Sequence, residues 1–135
     1  MNNSHPFSPF SWKILILGQV TGVLAWLPFE DRSILIPVLL ALPVAGLVGR
    51  LCYQSFHWSM LRCGLVAGLV VAPATLLWMA FKTGVHGHGI PDFTALQIMA
   101  VIKSTPAWVL AGGLLGWGWQ KLHPNSARGV PRSGE

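Results

Sequence analysis

Long runs without a charged residue, separated by short polar breaks, organise the chain. Ile14 to Phe29 carries no charge, and with Trp12 and Lys13 it gives about 18 residues, roughly 27 Å of helix, close to the thickness of a bilayer core. The pattern predicts helix 1 over residues 13–29. Glu30-Asp31-Arg32-Ser33 reads as a tight polar turn in which Asp31 or Ser33 can cap the next helix. Helix 2 is expected over 34–53. Pro37 falls in its first turn, where a missing N–H costs little, and Pro43 lies inside, where it predicts a kink. Gln54 to His57 reads as a loop. Helix 3 is the clearest, because Cys63 to Phe81 is uncharged, is bracketed by Arg62 and Lys82, and has Pro73 at its middle.

The breaker-rich segment Thr83 to Asp92 (TGVHGHGIPD) reads as a loop. After it, Phe93 to Gln120 has Lys103 as its only charge. A single helix over that stretch would be about 42 Å long, more than a ~30 Å core accepts without strong tilt. Ser104-Thr105-Pro106 supplies a break, with Thr105 as N-cap and Pro106 at the first helical position. The expectation is an interfacial helix over 93–103 and helix 4 over 106–122. Residues 1–12 read as a cytoplasmic arm and 123–135 as a polar, disordered tail. The first span lacks a strongly basic leader and a small-residue cleavage site, so it reads as retained rather than removed.

Composition supports lipid as the main solvent. Apolar residues make up 53% of the 135 and charged ones 10%, where a soluble domain carries roughly 25%. The fold class expected is all-α: a polytopic integral membrane protein with four transmembrane helices in a small-residue-packed bundle. Collagen, disulfide scaffolds, coiled coils and nucleic-acid domains are excluded. The formal charge of +5 is spread over short loops and the tail, so it is read as a topology signal and not as a nucleic-acid surface. Lys13, Arg50, Arg62, Lys121, Arg128 and Arg132 fall on one side of a four-span chain, with Arg32, Lys82 and Lys103 on the other. Both termini are therefore expected in the cytoplasm, in the plasma (inner) membrane. Trp12, Tyr53, Trp58, Trp117 and Trp119 would form the inner aromatic belt, and Trp26, Phe29, Trp78 and Phe81 the outer one.

Every predicted span carries small residues at four-residue spacing: Gly18 and Gly22; Ala41, Ala45 and Gly49; Gly64, Gly68 and Ala72; Gly112 and Gly116. Such faces allow close backbone approach, which drives helix association where the hydrophobic effect is weak. Short likenesses between Gly18–Val23 and Gly64–Leu69, and between Gly46–Gly49 and Gly113–Gly116, would make a parallel repeat of two hairpins, as some transporters have, but matches this short are read as chance. Gln19, Thr21 and Thr75 are the neutral polar groups inside the spans, and Lys103 is the one ionisable candidate there. If the last helix instead begins at Asp92 and continues through a kink at Pro106, Lys103 lies roughly 16 Å deep, where it would need a partner; on the favoured interrupted-helix reading it snorkels at the outer surface. His86, His88 and Asp92 could approach a metal, but a stable zinc site needs a further strong ligand, so the loop is read as solvated and metal-free. Cys52 and Cys63 offer neither a CxxC nor a zinc spacing.

Four short spans in a chain this size are similar to the small multidrug transporters, but those depend on a carboxylate in the first helix, where this chain has only Gln19. The arrangement also resembles the four-helix quinone-linked disulfide generators, which need extracytoplasmic cysteine pairs. Cys52 and Cys63 fall instead at the cytoplasmic boundary, and neither family is assigned. No cofactor or catalytic set is indicated. The expected function is a non-enzymatic membrane subunit that docks on a larger membrane complex, with a homo-oligomeric small-solute or ion transporter as the alternative. Its partners would be the lipid bilayer and a membrane protein or a second copy of itself.

Overall fold

A computed structural model of the chain describes residues 9–27, 33–86 and 92–123. Among them there are four helices: α1 Pro9–Trp26, α2 Leu35–Phe56, α3 Met60–His86 and α4 Ala95–Leu122. By length and composition α2, α3 and α4 are each able to cross a membrane, whereas the apolar part of α1, Ile16–Trp26, is shorter. The regular structure of the described residues is thus all helical, with three long apolar helices compatible with a membrane-embedded protein.

The helix ends shift from those the charge pattern predicts: α1 begins at Pro9, inside the expected arm, and ends at Trp26; α2 continues to Phe56 through most of the expected 54–57 loop; and α3 begins at Met60. Two further differences change the picture more. The third helix does not stop before Lys82 but continues to His86, taking Lys82 into the helix and away from water. The fourth is one uninterrupted helix of 28 residues, about 42 Å, that runs through Lys103 and Pro106. There is no separate interfacial helix over 93–103.

The reason lies in local hydrogen bonding. Thr94 is the N-cap, and it forms a capping box: its hydroxyl accepts from Gln97 N–H at 3.3 Å, while the Gln97 side chain accepts from Thr94 N–H at 2.8 Å. Proline at 106 deprives the carbonyl four residues earlier, that of Ile102, of its usual donor. The Thr105 hydroxyl donates to Ile102 O at 2.7 Å and fills that gap, while Ser104 donates to Val101 O at 2.7 Å. Thr105 therefore repairs the helix rather than starting one. Thr105→Val is expected to destabilise the protein by about 1–2 kcal/mol in detergent unfolding, and by much less in a Pro106→Ala background where the N–H is restored. Equal losses in the two backgrounds would contradict the compensation.

The turn between α2 and α3 is tight. His57 takes a left-handed conformation (φ 51°) that ends α2, and Ser59 Oγ accepts from Arg62 N–H at 3.4 Å as α3 begins. At the other end of α2, Ser33 Oγ accepts from Leu35 N–H at 3.2 Å. Backbone packing follows the chain order: α2 and α4 both lie closely along α3, α1 touches α2 more lightly, and the α4 backbone approaches α3 alone. Among the described residues the backbone of α4 approaches neither α1 nor α2. Side chains join the helices in two clusters. One gathers Val23, Trp26, Leu40, Met79, Phe93 and Val101, and the other gathers Ala41, Ala45, Val71 and Ala74 with Trp108 against them.

Candidate functional site

The least exposed large side chain of the described residues is a lysine. Lys82, in the penultimate turn of α3, is 1% exposed. Its Nζ lies 4.3 Å from the centroid of the Trp26 ring, the last residue of α1, which is itself 3% exposed. An ammonium over an indole face gains from the ring quadrupole, most of all where water is excluded. The C-terminal ends of α1 and α3 both meet here, and their dipoles favour a cation. Asp92, the only acid among the described residues, is half-buried just before the α4 N-cap, where the opposite dipole end favours a carboxylate. Lys82 and Asp92 are each engaged in further contacts. The Trp26 indole N–H is buried without a hydrogen-bond partner among the described residues. Val23, Met79 and Phe93 close the rest of the surroundings. The chemistry of this cluster is that of an anchor: a charged clamp that holds the lightly packed α1 against α3.

The charge pattern alone makes Lys82 a boundary charge and Trp26 part of an aromatic belt. Both lie inside the protein. No signal along the chain distinguishes Lys82 from a flanking lysine, since the partner that covers it lies 56 residues earlier.

The small residues separate into those that meet another helix and those that do not. A Cβ on Gly64 would strike Gly112 O; one on Gly68, Trp108 O; one on Gly112, Gly64 O; and one on Gly116, Met60 O. Along α2, Ala41 and Ala45 are buried and a Cβ on Gly49 would lie 3.1 Å from Ala67 Cβ. Ala72 is buried among the side chains of the first cluster. Gly22 faces Leu40 Cδ2 at 3.3 Å, while Gly18 has no neighbour within 4 Å. Gly64 and Gly18 occupy matching positions of the short likeness noted above and do different things.

These contacts fix a register. Met60 lies against Gly116, Gly64 against Gly112 and Gly68 against Trp108, so each four-residue step along α3 is matched by four residues back along α4. Five further residues on each helix bring Pro73 level with Lys103, and fourteen bring Lys82 level with Thr94. Lys103 is therefore far along α4 from the Lys82 end, and it is exposed. Among the described residues no hydrogen bond or ion pair engages it.

Of the neutral polar groups, Gln19 bonds across to α2 and Thr75 bonds within its own helix. Gln19 Nε2 donates to Leu40 O at 2.8 Å, in the turn before Pro43, and Thr75 Oγ1 donates to Val71 O at 2.7 Å. Thr21 is exposed. Cys52 and Cys63 are buried free thiols, Cys63 Sγ lying 3.7 Å from Trp58 O. His86 ends α3, and His88 lies outside the described residues. Among the described residues no three metal-binding side chains converge. No family model, curated protein or solved structure matches the chain.

Proposed function

We propose that this chain is a non-enzymatic integral membrane protein of the plasma (inner) membrane, an accessory or assembly subunit that docks on a larger membrane complex. The observation that carries the reading is the uncovered α4, which packs along one stripe against α3 and leaves the rest of its perimeter exposed. Leu96, Leu110, Leu114 and Leu115 are between 66% and 82% exposed. A transport path would need polar side chains turned toward a common lumen, but Gln19 and Thr75 are spent on backbone carbonyls and Thr21 faces outward.

In this reading α1 is the fourth span, supported by the uncharged run Ile14–Phe29 and by its seat against α2. Both termini are cytoplasmic, in keeping with Lys13, Arg50, Arg62 and Lys121 toward the end that holds the α2–α3 turn. Trp58, Trp117 and Trp119 share that end by the α3–α4 register, with Lys121 Nζ 5.9 Å from the Trp117 ring and His123 stacked on Trp119 at 4.4 Å. Reporter fusions after Arg32 and after Gly89 are expected to read extracytoplasmic, and fusions at Gln54 and at the C-terminus cytoplasmic. A cytoplasmic signal at Gly89 would overturn the four-span topology.

Gentle extraction followed by native sizing and identification of co-purifying chains tests the function. Stoichiometric, larger membrane proteins of other sequence are the expected result. A discrete homo-oligomer that conducts or exchanges a solute in liposomes would replace this reading with the transporter one.

A further inference from the structure

We infer that Lys103 is the cationic half of an intramembrane ion pair, and that the α4 outer face receives a transmembrane helix of another protein bearing an aspartate or glutamate at mid-depth. The inference rests on the docking role proposed above and names the chemistry of the partner.

The depth of Lys103 follows from its neighbours rather than from α4 alone. Counted along α4, Lys103 sits at the edge of an uncharged run, Ser104–Gln120, which suggests a lysine at the membrane surface. The other two long helices disagree with that boundary. In α3 the uncharged run starts at the exposed Arg62 and extends about 30 Å to Lys82, the thickness of a bilayer core; since Trp26 covers Lys82, Arg62 is the water-side marker of that run. In α2, Gly49 lies against Cys63 and Ala67, so the adjacent Arg50 falls near the level of Arg62, and α2 and α3 share one boundary. Were the α4 run to define the core instead, Arg62 would stand level with Leu114, deep inside it. With the boundary of α2 and α3, Lys103 is level with Pro73, about 16 Å from the Arg62 level and about 14 Å from the Lys82 level. That exceeds what a four-carbon stem bridges by snorkelling.

Its direction along the helix matters equally. Val101 is 3% exposed and faces the core, and Lys103, two residues on, points to the opposite side of the helix. The residues above and below it on that side are Leu96, Met99, Leu110, Leu114 and Trp117, all between 49% and 82% exposed. Lipid accounts for the leucines. It does not account for an ammonium at the middle of the stripe, which is costly there unless a carboxylate pairs with it.

Among the described residues the chain supplies no such carboxylate, Asp92 lying eleven residues from Lys103. Its four acids are Glu30, Asp31, Asp92 and Glu135, and none falls within an uncharged run. A second copy lying parallel on α4 would bring its Asp92 no nearer than eleven residues along the axis, about 16 Å. The partner is therefore a different chain with its own membrane-embedded acid.

The test uses the full chain in its native membrane with a photoreactive side chain in place of Leu110. The expected adduct is with one membrane protein whose cross-linked span contains an aspartate or glutamate. Lys103→Gln should lower the adduct yield more than tenfold, Lys103→Arg should retain it, and exchanging the two charges between the chains should restore it. The exchange guards against a variant that merely misfolds. An adduct with a second copy, a partner span without an acid, or an undiminished yield in Lys103→Gln would overturn the ion pair. If Lys103→Gln keeps a complex with larger heterologous proteins on native sizing, the docking reading stands and the role of Lys103 alone fails. If only a homo-oligomer is found, both fail.

Discussion

Gly64→Ala and Gly112→Ala are each expected to pull α3 and α4 apart, at a loss of about 3 kcal/mol, the upper end of what overpacking costs. In both cases the added methyl would meet a carbonyl oxygen of the facing helix, and backbone cannot rotate away as a side chain does. The helices must separate along their whole contact, and Gly68 and Gly116 lose their close approach with it. Gly84→Ala is the control. No atom lies within 4 Å of a Cβ there, so the change should be neutral or stabilising through helix propensity. Detergent unfolding of the three variants, with cross-linking between cysteines placed on the two helices, checks the prediction. A Gly64→Ala chain as stable as Gly84→Ala would show that the α3–α4 contact is looser than described.

Trp26→Ala is the second change with a large effect. Removing a nearly fully buried indole leaves a cavity and is expected to cost about 3–5 kcal/mol. It also takes the ring from the Lys82 ammonium and frees the end of α1. Trp26→Phe should be much milder, since it keeps an aromatic face for the cation and removes an indole N–H that has no hydrogen-bond partner among the described residues. A double-mutant cycle of Trp26→Ala with Lys82→Met isolates the pair. A coupling of about 0.5–2 kcal/mol is expected, because each side chain excludes water from the other. Strict additivity would mean that Lys82 is held by other groups and that Trp26 only fills space.

How much of this was written along the chain varies by element. The three long apolar helices are legible in their rough extents, because uncharged runs of about 18–20 residues need an apolar surrounding, whereas the separate helix expected over 93–103 is part of α4. The continuity of α4 was legible in part. Thr94-Ala-Leu-Gln97 is a capping-box sequence, and Ser104 and Thr105 stand one turn after the carbonyls to which they donate. A hydroxyl before a proline serves equally as a cap for a new helix or as a donor to an old one, and only the three-dimensional path decides between them. Lys82 was not legible. Its burial depends on Trp26, and a lysine that ends an uncharged run looks the same whether water or an indole covers it. The glycines are intermediate: their four-residue spacing is visible, but which of them meet a backbone is a matter of register, as Gly18 and Gly64 illustrate.

Lys103 gives the sharpest contrast, because its own helix suggests a surface residue and its neighbours suggest mid-depth. The most direct measurement is the depth of a spin label in liposomes, read from its collisions with oxygen and with a water-soluble relaxant. Labels are attached singly at positions 62, 73, 82 and 103 in a chain whose native cysteines have been replaced. The predicted result is a label at 103 as deep as that at 73, and both far deeper than the label at 62. A label at 103 as shallow as that at 62 would contradict the register, and with it the membrane-embedded cation on which the proposed partner depends.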